Sequence, residues 1–136
     1  GTYVGRCAQY CGVQHANMLM RLVVQTEDDF DKWVAEQQKL AVSDPKVAKG
    51  RKILESTSCV NCHRVRGTIA NGTYGPDLTH LMSRKTLASG MVDLTPESLA
   101  MWMEEPDHIK PGVLMPAMKL GKEELDDLVA YLLTLK

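Results

Sequence analysis

Two short clusters of soft side chains carry the chemistry that this chain could perform. The one nearer the middle reads Cys59-Val60-Asn61-Cys62-His63. Two thiols three apart on a helical turn lie side by side, with an imidazole at the next position. A Cys-x-x-Cys-His box is the attachment signal of a c-type haem. The thiols match the two vinyl groups at one edge of the ring, and His63 addresses the iron from the proximal side. Three other chemistries also use paired thiols. A redox Cys-x-x-Cys follows a strand and opens a helix, whereas a helical pattern precedes this box. A zinc site needs a second pair at suitable spacing, and Cys7 and Cys11 stand far upstream. Four cysteines in two pairs also permit two disulfides by count, but His63 directly after the second pair favours haem.

The other cluster reads Gly5-Arg6-Cys7-Ala8-Gln9-Tyr10-Cys11-Gly12-Val13-Gln14-His15-Ala16-Asn17-Met18. Thiolates, an imidazole and a thioether together favour copper over hard cations. Two bridging thiolates can hold two copper ions and let them share one electron, so the geometry barely changes between oxidation states. A Cys7–Cys11 disulfide would use the same two thiols, and the bare pattern leaves both readings open.

A sixth iron ligand is expected downstream of the box, since a His/Met pair raises the potential and suits electron transfer. Eight methionines compete. Met101 and Met103 fall in a helical pattern, and Met82 and Met91 flank an irregular stretch. Met115 is preferred, in Lys110-Pro111-Gly112-Val113-Leu114-Met115-Pro116, where prolines on both sides stiffen the loop. Met118 is the rival, and Met115 as a simple core filler is the alternative. Arg84 and Trp102 could contact the haem carboxylates or pack on the ring; surface or core roles are equally open. His80 and His108 read as ordinary surface residues or as supports for a ligand.

The elements that must position these groups follow from periodicity. From Asn17 to Val24, Met18, Met20, Leu22 and Val24 share one face of a strand-like run, with Arg21 on the other. Thr26, followed by Glu27, Asp28 and Asp29, reads as a helix start. Phe30, Trp33, Val34 and Gln37 then have helical spacing, which predicts a helix over about 27–39. Ala41-Val42-Ser43-Asp44-Pro45 is expected as a linker whose Asp44 caps the next helix, with Pro45 at its first position. That helix spans about 45–56 and places Val47, Gly50, Ile53 and Leu54 near one face. Thr95-Pro96-Glu97 opens another helix, which stops before Pro106. Leu125, Leu128, Val129 and Leu132 mark a last helix over about 122–135. A helical unit of this size is small for a self-sufficient core, and a buried haem would supply apolar contact.

Composition narrows the field. Net charge is -1, from 16 basic and 17 acidic residues, which argues against a nucleic-acid partner. No stretch reaches the roughly 20 apolar residues that span a bilayer, and no leader segment is visible. The opening at Gly1, already inside a motif, suggests a piece of a longer protein.

Residues 45–136 resemble the class I cytochrome c family. Beyond the box, Gly75-Pro76 before Leu78 is similar to the family segment whose proline carbonyl orients the proximal histidine, here His63. Pro116 after Met115 also fits. Gly50 against Tyr131 and Leu132 resembles the family's crossing of terminal helices. One departure is Leu54, where the family often has an aromatic residue, which should loosen that crossing slightly.

Residues 1–34 resemble the binuclear CuA loop of cytochrome c oxidase subunit II. The resemblance implies that Cys7 and Cys11 bridge the coppers, that His15 and Met18 each bind one, and that the Gln9 carbonyl is a weak ligand. The family continues with a strand and a helix containing Phe and Trp, as Phe30 and Trp33 do here. Its other copper-binding histidine lies on an earlier strand with no counterpart in this chain, so a complete CuA centre is not expected. Residues 1–25 are then expected to be partly disordered, to pair with another copy, or to oxidise to a disulfide.

Together the two resemblances imply a mainly α class I cytochrome c-like haem domain (41–136), preceded by a truncated β segment (1–40). That segment is the end of a cupredoxin-like CuA domain with a bridging helix. They imply covalent haem c, electrons passing from a donor protein or cytochrome to CuA and on to the oxygen-reducing subunit, and partnership with other oxidase subunits. They also imply a periplasmic or extracytoplasmic site on a bacterial membrane, with anchoring helices upstream. A nitrous oxide reductase with a haem c extension is the alternative, although its loop usually carries a Trp between the cysteines and Ala8-Gln9-Tyr10 has none. A stand-alone cytochrome c would need no copper loop, and a peroxidase-like enzyme would need an open sixth position.

Overall fold

The computed structural model describes residues 1–42 and 44–136; Ser43, inside the expected linker, lies outside the described residues. Helices dominate, and two small antiparallel ribbons flank them. The first ribbon pairs β1 (Thr2–Arg6) with β2 (Leu19–Val23), in register from Thr2↔Val23 to Arg6↔Leu19. β1 falls within the expected β segment but was not picked out, because Gly5 interrupts so short an alternation. In β2 the period of two is as expected, and only Leu19 is half-buried. Met18, Met20, Leu22 and Val24 are exposed, while Leu19, Arg21 and Val23 turn toward the helices. A two-residue period says which side chains share a face; which face finds cover depends on what packs there.

Capping residues set the helix starts. The Thr26 side chain accepts from the Asp29 backbone N–H at 3.3 Å, opening α1 (Glu27–Gln37), which stops two residues short of the expected end. Asp44 accepts from the Lys46 N–H at 2.9 Å. Pro45 then begins a 3₁₀ turn, Pro45–Val47, that runs into α2 (Ala48–Ser56). α3 (Cys59–Cys62) is a single turn carrying the two thiols. Thr95 and Ser98 form a reciprocal capping box for α4 (Pro96–Glu104). Pro106 does stop α4 but starts a further short helix, α5 (Pro106–Ile109), that was not expected. α6 (Lys122–Leu132) ends three residues early.

The core forms where α2, α4 and α6 meet, with Leu54, Leu99, Met103, Leu125, Leu128, Tyr131 and Leu132 buried. At the α2–α6 crossing, a methyl group on Gly50 would overlap the Asp127 carbonyl oxygen and stand 2.7 Å from Tyr131 Cβ. Only glycine permits that approach. The second ribbon joins β3 (Thr86–Leu87) to β4 (Val92–Asp93). Its turn takes Ala88, Ser89 and Gly90 through left-handed backbone, with φ of 54°, 63° and 89°, a costly conformation for the first two residues.

His80 departs from the surface reading. It is buried, with Nδ1 2.6 Å from the Lys136 carbonyl and Nε2 3.1 Å from the Lys39 carbonyl. It ties the end of α1 and the chain's last residue to the helical unit.

Candidate functional site

A cavity of about 940 Å³ opens between the helical core and the first ribbon. Its apolar walls come from Leu54, Leu81, Leu99, Met103, Leu128 and Leu132. Cys59 and His63 line it, and Cys62 is half-buried one turn further along α3. All four cysteines are free thiols.

The chain after the box is folded tightly back onto it. Gly72 N–H donates to the His63 carbonyl at 3.0 Å, and Gly75 N–H to the Cys62 carbonyl at 2.7 Å. A Cβ on Gly75 would lie 2.6 Å from His63 Cε1, and one on Gly72 would lie 2.5 Å from the Cys62 carbonyl carbon. These glycines let the backbone press against the imidazole and the box. His63 Nδ1 is 2.8 Å from the Pro76 carbonyl. A carbonyl only accepts, so Nδ1 is the protonated nitrogen and Nε2 keeps its lone pair for a metal.

Asp77 stabilises the same loop. Burial alone would raise its carboxyl, but hydrogen bonds from the Thr79 hydroxyl and backbone N–H, with Arg66 and Arg64 nearby, outweigh that and hold it below the usual range. The Arg84 guanidinium donates to the Asp77 carbonyl. Although the residue as a whole is exposed, partial burial of that end lowers its pKa. Arg84, Trp102, Met115 and Met118 all line the cavity, with Met118 N–H held by the Met103 carbonyl at 2.9 Å. The structure therefore brings both candidate thioethers to the site and does not separate them.

Sequence reasoning missed part of the lining. Leu19, Arg21, Val23 and Gln25, alternate positions along and just beyond β2, face the cavity, together with Phe30 and Trp33 of α1. Arg21 had been placed on the opposite face from the methionines, which was the available signal. Lys85 and Lys110 also line it. The lining thus holds four cations (Arg21, Arg84, Lys85, Lys110) and no carboxylate. Such a cavity suits a large apolar body bearing negative groups. A porphyrin with two carboxylates has that chemistry, with thiols and an imidazole lone pair provided for covalent attachment and iron ligation.

The second cluster sits at the end of the first ribbon. Cys7 N–H donates to the Met18 carbonyl at 3.1 Å, closing the loop, which bends at Gly12 (φ 124°) and passes through a 3₁₀ turn, His15–Asn17. Cys7 Sγ and Cys11 Sγ are 3.6 Å apart, against about 2.05 Å for a disulfide. Cys11 Sγ is 3.6 Å from both His15 Nδ1 and Met18 Sδ, and the Cys7 thiol donates to the Gln9 carbonyl at 3.0 Å. Five residues named from sequence are thus gathered around one point. The hydrogen bond with Cys7, more than burial or the neighbouring thiol's charge, holds the Cys11 thiol above its ordinary range. Residues 1–6 and 19–23 form a paired hairpin here, with the Cys7 and Cys11 thiols unbonded at its end. His80 stands apart from this cluster, held between the Lys136 and Lys39 carbonyls.

Over its whole length the chain is similar to cytochrome c oxidase subunit 2 of Alkalihalophilus pseudofirmus, at 36% identity, covering 40% of that protein. It is similar to cytochrome c oxidase subunit 2 of Bacillus sp. (strain PS3) at 34% identity, again covering 40%. The chain therefore spans about 40% of the length of these curated relatives. Among solved structures, the c-type cytochrome SorU from Sinorhizobium meliloti matches with a TM-score of 0.48 and 24% identity, covering 68% of this chain and 93% of that one. Residues 47–136 match the family described as Cytochrome c. With that match and the haem-compatible cavity, the chain belongs to the cytochrome c family and is an electron-transfer protein of covalent haem c.

Proposed function

We propose that this chain is the cytochrome c part of a cytochrome c oxidase subunit II. It would take single electrons from a donor protein and deliver them, through a CuA site on the Cys7–Met18 loop, to the oxygen-reducing subunit. Residues 1–40 form the end of the CuA unit with its bridging helix, and residues 41–136 the haem unit. The observation that carries this reading is that the ribbon bearing the thiol loop also roofs the cavity holding Cys59 and His63. Two sets of redox ligands are thereby held together in one chain.

When bound, the haem supplies a one-electron iron couple and the copper pair a second such couple. Cys59 and Cys62 would anchor the ring, and His63, oriented by Pro76, would offer Nε2 to the iron. Met115 would supply a further iron ligand, its soft thioether favouring the reduced metal. Trp102 and the leucine walls would keep water from the ring and so limit reorganisation when its charge changes. Cys7 and Cys11, with His15, Met18 and the Gln9 carbonyl, would be the residues of this chain that hold the copper.

Tethering matters for rate. A short link keeps one centre at an effective concentration on the order of millimolar relative to the other. The subunit II reading also implies other oxidase subunits as partners and the extracytoplasmic face of a bacterial membrane as location. Among the described residues, no helix is long and apolar enough to cross a membrane.

Electron paramagnetic resonance tests the proposal. The parent protein, with its upstream segments present, should show iron and a mixed-valence binuclear copper signal, and donor-reduced haem should reduce that copper. This chain alone, given copper, should lack the mixed-valence signal, because one histidine ligand is missing. A parent protein without copper, or with copper that never accepts an electron from the haem, would overturn the route.

A further inference from the structure

Resting on the haem-binding reading above, we infer that Arg21, carried on the copper-loop ribbon, is a positioning residue for the haem: it supplies a cation to the haem carboxylates across the contact between the two halves of the chain. The cavity's four cations come from β2 and from segments 84–85 and 110, and none comes from the Cys59–His63 box. Two of them have other contacts. Arg84 donates to the Asp77 carbonyl, and Lys110 Nζ donates to Ser89 Oγ at 3.1 Å. Arg21 makes one bond, from Nη1 to Thr86 Oγ1 at 2.7 Å, and has no carboxylate partner among the described residues. A guanidinium has five N–H donors in a rigid fork suited to a carboxylate. Most of Arg21's donors are therefore uncommitted, in a cavity with no acid of its own.

The surroundings fix where Arg21 stands. Leu19 N–H donates to the Ser89 carbonyl at 3.0 Å, and Gln14 Nε2 donates to the Pro111 carbonyl at 3.3 Å. A Cβ on Gly90 would come within 3.0 Å of Leu19 Cβ and 3.2 Å of Arg21 Nη1. The left-handed turn Ala88–Gly90 thus brings its backbone against β2 beside Arg21, which is a reason for two non-glycine residues to hold that conformation.

A positive charge near the iron favours the ferrous form, which carries one positive charge fewer. Arg21 therefore raises the reduction potential and keeps a haem carboxylate ionised to lower pH. The ribbon then tunes the haem electrostatically as well as covering it.

The test is a spectroelectrochemical titration of the haem-loaded chain from pH 5 to 8. Arg21→Gln should shift the ferrous/ferric equilibrium about fivefold toward ferric, ~40 mV for a one-electron couple, and should raise the pH at which the potential changes slope. Arg21→Lys keeps the charge and should stay near the wild-type potential. Thr86→Val removes only the docking bond and should leave the potential within a factor of two. An unchanged potential in Arg21→Gln, or an equal drop in Thr86→Val, overturns the inference. If Arg21→Gln takes up no haem, Arg21→Lys decides: a wild-type potential supports the inference and a fallen one ends it. Failure of the wild-type chain itself to hold haem would count against the haem reading, and is seen separately in the absorption spectrum.

Discussion

The Cys59–His63 box and the Cys7–Met18 loop are built from similar side chains at fixed spacing, yet they are supported in opposite ways. The box is wedged between a helical core and a glycine loop, where Gly72 and Gly75 leave no room even for a methyl group. The thiol loop stands at the end of a two-stranded ribbon whose outer face, with Met20, Leu22 and Val24, is exposed. An isolated two-stranded hairpin is marginal in water, and this one relies on its inner face lying over the cavity. The contrast teaches that a ligand pattern specifies which metal chemistry is intended, while the packing behind it decides how completely one chain can carry that chemistry out. In the proposed reading the haem ligands lie within residues 59–115, whereas the Cys7–Met18 loop supplies only part of the copper ligand set.

The largest expected effect separates the two thioethers at the cavity. Met115→Ala should convert a low-spin haem spectrum to high-spin or to a new ligand set, abolishing the methionine–iron charge-transfer absorption, while Met118→Ala retains it. The reverse pattern would move the ligand to Met118, onto the segment held by the Met103 carbonyl.

A second comparison concerns support. Leu128→Ala, in the buried core, should lower unfolding stability by about 2–5 kcal/mol in denaturant titration. Leu22→Ala, on the ribbon's exposed face, should change it by less than ~0.5 kcal/mol. Equal losses would mean that the outer face is covered in solution and that the two regions are supported alike.

The smallest effect is a pH dependence in the loop behind His63. The folded-state pKa of Asp77 is lowered, so its contribution is complete above the ordinary aspartate value of about 3.9 and is lost as pH falls toward the folded value. Asp77→Asn should flatten the acid side of the stability–pH curve below about pH 4. The change should stay under ~1 kcal/mol, since the carboxylate is largely exposed to water. An unchanged curve would show that the glycine contacts hold the loop unaided.

Much of the helical unit was legible because its signals are local. Thr26 and Thr95 cap the helices they were expected to open, Asp44 caps the 3₁₀ turn that leads into α2, and Gly50 lies at the predicted crossing of α2 and α6. The Pro76 carbonyl reaches His63 as the resemblance implied. What escaped was relational. That Leu19, Arg21 and Val23 rather than Met20 and Leu22 face the cavity depends on a surface formed by residues much later in the chain. His80's place between Lys39 and Lys136 requires three separated segments to meet, and α5 is too short for periodicity to reveal. The cation lining was hidden for the same reason, since Arg21, Arg84, Lys85 and Lys110 converge only in three dimensions.

The most direct test of the central claim, that this chain holds a haem through thioether bonds to Cys59 and Cys62, is acid–acetone extraction of the matured protein followed by intact-mass measurement. The account predicts colour that stays with the polypeptide and a mass increased by one haem, with Cys59→Ser/Cys62→Ser releasing the pigment. Colourless matured protein, or wild-type pigment that leaves with the solvent, would contradict it.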